Sequence, residues 1–336
     1  MFIKAAVLLK KNKVNIKKII LPSLKTGQVL VKIKFSSICH TQVQEIEGQR
    51  GKDNFLPHCL GHEATGKVIQ THKSVKKVKK NDYVCLTWVF SQGINAGGSK
   101  YKDVKNKTVN AGPVNTFSNY SIVSENKIHK INKNNDLKKS VLLGCAAPTA
   151  FNCVFLNTKN QKKKNILILG AGGVGLLAVF ASKLVKFSSI TVVDKNLEKL
   201  KISKELGASK TLSNVHDISL LHDSFDYVLE CSGNKHLLEK SIFFAKKFGG
   251  KVLVVGNYKQ DSKLKIDPWQ LLYGKKISGS WNKKFNYDNY FNIFSKYLKK
   301  FKINKYFGKK IYKLSELNLA LKHLKNGKVI RPLIKM

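Results

Sequence analysis

In the first third of the chain, apolar side chains alternate with polar ones, most regularly over Gln28–Phe35. Val29, Val31 and Ile33 occupy every second position there, which is the period of a half-buried strand. Residues 88–119 show little periodicity and contain four glycines, so we expect an irregular segment there. Apolar patterns predict further strands at Ala5–Leu9, Ala64–Gln70, Tyr83–Thr87 and Phe117–Val123.

From about Phe151 the pattern changes to short apolar runs that alternate with helical patterns. The predicted strands are Ile166–Leu169, Ile190–Val193, Tyr227–Glu230 and Lys251–Val255. Such an alternation indicates a parallel, doubly wound α/β sheet. After this region we expect helices near Tyr287–Lys299 and at Ser315–Asn326, and a final strand at Val329–Ile334.

The length of 336 residues exceeds one ordinary hydrophobic core and indicates two domains of roughly 150 residues each. The positions at which the apolar pattern changes indicate the domain boundaries. We expect residues 1–150 and 285–336 to form a mainly β domain. Residues 151–284 would form a doubly wound α/β domain inserted into it.

The segment Asn165–Asp194 reads as strand, glycine turn, helix, strand and acid. Gly170 permits a tight turn, Gly172 lets the backbone approach a pyrophosphate, and Gly175 lets the helix pack closely on the strand. The helix N-terminus offers free N–H groups to phosphates. Asp194 follows Gly175 by 19 residues, where a carboxylate can bind the adenosine ribose. The segment therefore predicts a Rossmann-type dinucleotide site.

The chain carries 62 lysine and arginine residues against 20 acidic ones, a formal net charge of +42. A strongly basic chain is one signature of nucleic-acid binding. Only Arg50 and Arg331 are arginine, however, and arginine is the usual reader of guanine edges and of phosphates. The lysines are spread along the whole chain. We therefore interpret them as a solvated surface and expect no specific nucleic-acid partner.

Six cysteines are widely spaced and form no CxxC pair. In a chain without a recognisable signal peptide, this argues against a disulfide framework. The longest nearly apolar run, Ile166–Ala181, contains four glycines. It is shorter than the ~20 residues that span a membrane. We therefore expect a cytoplasmic protein with no membrane segment.

Cys39, His62 and Cys145 are candidate metal ligands. Two thiolates and one imidazole suit zinc, and three protein ligands leave a fourth position for water or substrate. Spacing alone does not decide the matter, because a cysteine is often a small buried apolar residue. On the residues alone, a zinc site and a purely structural role both stay open.

Four motifs stand in the order found in the zinc-containing medium-chain alcohol dehydrogenases. They are Cys39-His40-Thr41, Gly61-His62-Glu63, Gly144-Cys145 with Thr149 four residues later, and the glycine turn Gly170–Gly175. The similarity spans nearly the whole chain and includes the ending Gly327-Lys-Val-Ile-Arg331. The chain thus resembles that family, which implies a mainly β, GroES-like catalytic domain with an inserted Rossmann domain.

The resemblance implies a role for each matching position. The three candidate ligands would bind one catalytic zinc per chain. Thr41 would hydrogen-bond the substrate hydroxyl and pass on its proton, Glu63 would lie behind the metal, and Trp88 would line the substrate pocket. His40 and Arg331 would touch the cofactor pyrophosphate. The complete set of implied cofactor positions is His40, Thr149, Gly170, Gly172, Gly173, Val174, Gly175, Asp194, Lys199, Val255, Gly256 and Arg331.

The chain departs from the family pattern in three places. Many relatives have a four-cysteine lobe for a second, structural zinc, but residues 88–119 contain no cysteine, so we expect no such zinc. Gln44 stands where a proton relay often ends in histidine, and an amide cannot act as a base. Gln42 stands where an aspartate often orients the ligand histidine, so we expect a more positive zinc site.

Together these observations predict a zinc-dependent oxidoreductase that transfers a hydride between NAD(H) and an alcohol, aldehyde or ketone, with polyols and sugar derivatives within the class. Asp194 favours NAD, because its carboxylate would repel a 2′-phosphate. The apolar-alternating strand Lys276–Trp281 corresponds to an edge that pairs two subunits in the resembled family, so we expect a homodimer or homotetramer. Two alternatives remain: a zinc-free quinone-reductase-like relative, and a basic, nucleic-acid-associated protein on the same fold.

Overall fold

The computed structural model describes residues 1–159, 161–214, 221–280, 286–301, 306–308 and 310–336. The chain forms two compact units. Unit 1 is made of Met1–Pro148 and Asn286–Met336, and unit 2 of Thr149–Phe285. The segment that follows unit 2 therefore returns to unit 1, and both boundaries lie within two residues of the expected positions.

Unit 1 contains a closed barrel built from five strands. They are β1 (Phe2–Lys10), β2 (Lys13–Ile20), β4 (His58–Cys59), β7 (Ser99–Asp103) and β8 (Thr108–Ala111). Their order round the barrel is β1, β2, β7, β8, β4. Apolar side chains fill its interior, among them the fully buried Tyr101.

The expectation of an irregular segment at residues 88–119 is wrong for β7 and β8. Ser99, Tyr101 and Asp103 are buried, and the lysines between them are exposed. Two of these three buried side chains are polar, so the alternation is not one of apolar and polar residues. Asp103 is tolerated there because its carboxylate accepts two backbone N–H groups of the following turn, both at 2.9 Å.

The second sheet of unit 1 combines the N-terminal segment with the C-terminal one. Its strands are β3 (Gln28–Ser37), β5 (Ala64–Thr71), β6 (Tyr83–Leu86), β9 (Tyr120–Ser124), β10 (Ile128–Ile131), β17 (Ile311–Lys313) and β18 (Leu333–Lys335). The order is β10-β6-β5-β3-β18-β17, and β9 also pairs with β3. The predicted last strand, Val329–Ile334, begins later than expected because Arg331 has a φ of 48°, which interrupts extended backbone.

Short helices connect these strands. The α-helices with bounds in the described part of unit 1 are α1 (His40–Ile46), α2 (Leu137–Ser140), α8 (Tyr287–Lys299) and α9 (Leu317–Lys325). The helix predicted at Tyr287–Lys299 has those bounds, and the one predicted at Ser315–Asn326 is α9, preceded by a 3-10 turn at Leu314–Glu316.

Unit 2 is a six-stranded parallel sheet. Its strands are β11 (Asn165–Leu169), β12 (Ser189–Val193), β13 (Lys210–Leu212), β14 (Tyr227–Glu230), β15 (Lys251–Val254) and β16 (Lys276–Gly279). The order β13-β12-β11-β14-β15-β16 reverses direction between β11 and β14. This confirms the predicted doubly wound α/β fold. The predicted edge strand Lys276–Trp281 corresponds to β16, and Trp281 lies outside the described residues.

The helices of unit 2 lie between these strands. They are α4 (Gly173–Leu184), α5 (Leu197–Leu206), α6 (Lys235–Phe244) and α7 (Pro268–Leu272), while α3 (Ala146–Phe151) crosses the boundary between the units. In the described part of the chain no single helix is long and apolar enough to cross a membrane. Only the bent pair Leu137–Gly144 and Ala146–Leu156 together meets that length and composition.

Candidate active site

Three loops of unit 1 bring the candidate metal ligands together. Cys39 is the N-cap residue of α1, His62 precedes β5, and Cys145 follows a 3-10 turn at Val141–Gly144. Their ligand atoms all lie within 4.8 Å of one another. The donors of a tetrahedral zinc site are about 3.3–3.8 Å apart, given Zn–S and Zn–N bonds of ~2.0–2.3 Å. The fold thus brings these three residues, which are far apart in the sequence, close together in space.

The three ligands also perturb one another electrostatically. A hydrogen bond from Cys145 holds the pKa of Cys39 well below its usual range. Cys145 has its pKa raised well above the usual range, by that same hydrogen bond and by burial. Burial acts to lower the pKa of His62, but its hydrogen bond with Cys39 and the negative charge of Cys39 outweigh burial and raise it. The cluster therefore favours a thiolate at Cys39, whereas Cys145 must lose its proton when a metal binds.

A buried ion pair lies against this cluster. Arg331 is 4% exposed, donates from Nη1 to Glu63 Oε1, and approaches Cys145 Sγ to 3.6 Å with Nη2. Ser37 Oγ donates to the same Glu63 oxygen at 2.7 Å. The other oxygen, Oε2, is buried and has no hydrogen-bond partner among the described residues. Arg331, which the resemblance assigns to the cofactor pyrophosphate, is thus held beside the metal ligands.

Helix α1 carries the residues that follow Cys39. Thr41 Oγ1 lies 3.4 Å from Cys39 Sγ, whereas His40 is exposed. Gln42 is buried, and its amide nitrogen donates to Glu45 at 2.6 Å. Burial raises the pKa of Glu45, and the nearby histidines His58 and His62 oppose that shift. Glu45, one helical turn beyond Gln42, therefore interacts electrostatically with His62.

Sequence reasoning missed Glu45, although the signal was present. Gln42 and Glu45 are separated by three positions, which places them on one face of a helix. No helix was predicted over His40–Ile46, so this neighbour relation was not recognised.

Trp88 belongs to a loop that is tied to the metal cluster. Thr87 Oγ1 donates to the carbonyl of Gly144, next to Cys145, at 2.8 Å, and accepts the N–H of Val89 at 3.0 Å. The ammonium of Lys127 donates to the Trp88 carbonyl at 2.7 Å. Burial lowers the pKa of Lys127 to about 8. Trp88 itself is half-buried, and sequence reasoning did not single out Lys127 as its support.

In unit 2, the glycine turn joins β11 to α4. Gly170 has a φ of 95°, a conformation that favours glycine. A Cβ at Gly175 would lie 1.9 Å from the carbonyl oxygen of Gly170, so only glycine fits. A Cβ at Gly172 would meet no atom within 4 Å. Gly172 caps α4 without any side-chain hydrogen bond, and Gly173 and Val174, the first residues of the helix, are half-buried.

Asp194 lies directly after β12 and is half-buried. Its carboxylate accepts the N–H of Ala171, within the glycine turn, at 2.7 Å, and the N–H of Asn196 at 2.9 Å. The neighbouring Lys195 is exposed, and Lys199 is half-buried in α5. Asp194 is therefore fixed at the carboxyl edge of the sheet, where ligands bind in open α/β folds.

The remaining predicted cofactor residues are dispersed. Thr149 is half-buried in α3 at the start of unit 2. Val255 and Gly256 follow β15 and donate their N–H groups to the carbonyl of Glu230 at 3.0 and 2.8 Å. Glu230 ends β14 and was not among the predicted site residues. The structure brings the glycine turn and Asp194 into direct contact, and it places Val255 and Gly256 against Glu230.

The sequence matches two protein families over most of its length. Residues 25–133 match the alcohol dehydrogenase GroES-like domain, and residues 173–300 match the zinc-binding dehydrogenase domain. The chain is 26% identical to the probable S-(hydroxymethyl)glutathione dehydrogenase 1 of Schizosaccharomyces pombe, over 93% of this chain and 91% of that protein. It is 28% identical to alcohol dehydrogenase-like 3 of Arabidopsis thaliana, over 75% of each chain.

A solved structure has the same fold. Benzyl alcohol dehydrogenase from Acinetobacter calcoaceticus superposes with a TM-score of 0.84 at 24% identity, over 100% of this chain and 99% of that one. The two family matches and the curated relatives agree with the motifs described above. The chain therefore belongs to the zinc-containing medium-chain alcohol dehydrogenase family and is a zinc-dependent, NAD-linked oxidoreductase of that type.

Proposed function

We propose that the protein interconverts an alcohol and the corresponding aldehyde or ketone, using one zinc ion per chain and NAD(H). The observation that carries this proposal is the convergence of Cys39, His62 and Cys145 to within 4.8 Å. The donor set is the one that zinc prefers in catalytic sites with an open position. Beside it, the buried Oε2 of Glu63 has no hydrogen-bond partner among the described residues and can accept a further contact.

Zinc supplies a Lewis acid that polarises the substrate oxygen, and NAD supplies the hydride acceptor. The protein residues position the substrate and move its proton. Thr41 is the residue best placed to hydrogen-bond the substrate hydroxyl, because its Oγ1 lies beside Cys39 Sγ. Gln44 cannot accept the proton onward, so water or a hydroxyl of the cofactor takes it.

The dinucleotide would be held by unit 2. The N-cap residue of α4, Gly172, makes no side-chain hydrogen bond, so the first residues of the helix offer their backbone N–H groups to a ligand. The open space at Gly172 leaves room for a pyrophosphate. Asp194 would accept the ribose hydroxyls with the lone pairs that its two backbone donors leave unused. A 2′-phosphate there would face a carboxylate, so we propose NAD rather than NADP.

The substrate is a small-molecule alcohol or carbonyl compound, with polyols and sugar derivatives in the class. Trp88, whose loop is held by Thr87 and Lys127, would form a wall of its pocket. We further propose that the protein acts in the cytoplasm as a homodimer or homotetramer. Strand β16 supports this assembly, because it ends the described sheet and leaves one edge for pairing.

The test combines metal analysis with an activity panel. The native protein, purified without chelator, should hold about one zinc per chain and oxidise NADH with members of a panel of aldehydes, ketones and sugars. Cys145→Ser should lose both zinc and activity while keeping its fold. Cys59→Ser is the matched control, because Cys59 is a buried thiol of the barrel outside the ligand group.

Two results would contradict the proposal. Two tightly held zinc ions per chain would contradict the single-site proposal. Full activity after complete zinc removal would favour the zinc-free, quinone-reductase-like alternative.

A further inference from the structure

Glu230 is a buried carboxylate to which the mechanism above gives no role. It ends β14, and its side chain is fully buried. Burial raises its pKa, and hydrogen bonds from Ser232 and Tyr258 oppose that shift. No lysine or arginine of the described residues forms an ion pair with it, although the chain has 62 such residues.

Hydrogen-bond donors, rather than a positively charged side chain, contact this carboxylate. The backbone N–H of Ser232 donates to Oε1 at 2.8 Å, and that of Gly233 approaches Oε2 at 3.3 Å. The hydroxyl groups of Ser232 and Tyr258 also contact the carboxylate. Backbone N–H groups can only donate, so the arrangement suits an ionised carboxylate, which only accepts.

The backbone around Glu230 is closely packed. A Cβ at Gly256 would lie 2.7 Å from Glu230 Oε2, and a Cβ at Gly170 would lie 2.8 Å from the Cα of Ser232. The loops that follow β11, β14 and β15 therefore meet around this one carboxylate. The negative charge is fixed at the carboxyl edge of the sheet and has little freedom to move away.

The topology indicates which half of a dinucleotide would lie near it. The strand order reverses between β11 and β14, and ligands of doubly wound sheets bind across that point. Asp194 follows β12 on one side of the reversal, where the proposed function puts the adenosine ribose. The nicotinamide half would then extend to the other side, over the ends of β14 and β15, where Glu230 lies.

We propose that Glu230 sets the relative affinity of the protein for oxidised and reduced cofactor. The nicotinamide ring of NAD⁺ carries a positive charge, and that of NADH carries none. A fixed, desolvated negative charge near the ring therefore stabilises the oxidised form selectively. The inference rests on the proposed function, since it requires NAD(H) to bind at this edge.

The experiment measures the dissociation constants of both cofactor forms by titration calorimetry, on the full-length, zinc-loaded protein at one pH. Glu230→Gln keeps the size of the side chain and removes its charge. We expect it to raise the ratio Kd(NAD⁺)/Kd(NADH) by about tenfold. Glu239→Gln is the matched control. It makes the same change of charge on α6 of the same unit, at a residue that pairs with Lys235, and should leave the ratio unchanged.

A second variant covers the case in which Glu230→Gln does not fold. Ser232 is exposed and adjoins the carboxylate, so Ser232→Lys places a positive charge beside it and should shift the ratio in the same direction. An unchanged ratio in a variant that folds, whether neither dissociation constant changes or both change equally, would overturn the inference and leave Glu230 a structural residue. If the native protein binds neither cofactor form, the proposed function itself fails, which is a different result.

Discussion

Alanine at two glycines of the same turn should act in two different ways, at Gly175 mainly on stability and at Gly172 mainly on cofactor affinity. At Gly175, the added Cβ would lie 1.9 Å from the carbonyl oxygen of Gly170. That oxygen is backbone and cannot rotate away, so α4 must move relative to β11. Overpacking of this kind costs about 1–3 kcal/mol of unfolding free energy. We expect Gly175→Ala to lower the stability of unit 2 by that amount and to weaken cofactor binding as a consequence.

At Gly172 the added Cβ would meet no atom within 4 Å, so the fold has room for it. Alanine is a poorer N-cap than glycine, and we expect a loss of at most about 1 kcal/mol. The methyl group would, however, occupy the space where α4 offers its N–H groups to a phosphate. Losing one charge-assisted hydrogen bond costs about 1.5–3 kcal/mol, which is roughly a 10- to 150-fold weaker binding of NADH.

Two assays separate the effects. Denaturant unfolding followed by circular dichroism gives the stability, compared as midpoints because a two-unit protein need not unfold in one step. Titration with NADH gives the affinity. Gly112→Ala is the control, since its Cβ would make only an ordinary contact, 3.6 Å from Val114 O in unit 1. Native NADH affinity in Gly172→Ala would refute the assignment of the phosphate position, and native stability in Gly175→Ala would refute the steric argument.

Three further predictions follow from the site and the sheet edge. Thr41→Ala should lower turnover by about 10²–10⁴-fold with unchanged zinc content, because a positioned proton path is lost; full activity would show that Thr41 has no such role. The native protein should prefer NADH over NADPH by about one to two orders of magnitude in kcat/KM, and Asp194→Ser should shrink that preference; equal use of both cofactors by the native protein would contradict the ribose assignment. The protein should sediment as at least a dimer at micromolar concentration and physiological salt. Gly279→Pro should give monomers, since Lys276 and Ser280 donate inward to Gly250 and Val254, which leaves the N–H of Gly279 facing outward. A native monomer would argue against pairing through β16.

The sequence predicted the elements whose side-chain pattern is set by burial on one or both faces. The alternation over Gln28–Phe35 gave β3, and the apolar runs of unit 2 gave its central parallel strands. Strand β7 was missed because two of its three buried residues are polar. Ser99 accepts a hydrogen bond from the Gln28 side chain and Asp103 accepts backbone N–H groups, and no local pattern reports such partners.

The candidate site was predictable only in part. The resemblance gave the three metal ligands, and their convergence depends on contacts between distant segments. The pairing of Arg331 with Glu63 arises from the return of the C-terminal segment to β3, which local periodicity does not encode. Glu45 and Glu230 were not predicted as site residues because their contacts are with neighbours in space. Glu45 contacts a residue one helical turn away, and Glu230 contacts residues of the loops around it.

The pairing of Arg331 with Glu63 also fixes an order of events during synthesis. Arg331 is translated 186 residues after Cys145, which takes about 9–37 s at roughly 5–20 residues per second. During that interval the whole of unit 2 emerges and can fold by itself, while β3 still lacks β18 and Glu63 lacks its guanidinium partner. The segments that carry Cys39, Glu63 and Cys145 are thus synthesised before the arginine that contacts Glu63 and Cys145. Completion of this sheet, and with it the ion pair between Arg331 and Glu63, therefore awaits the C-terminal segment.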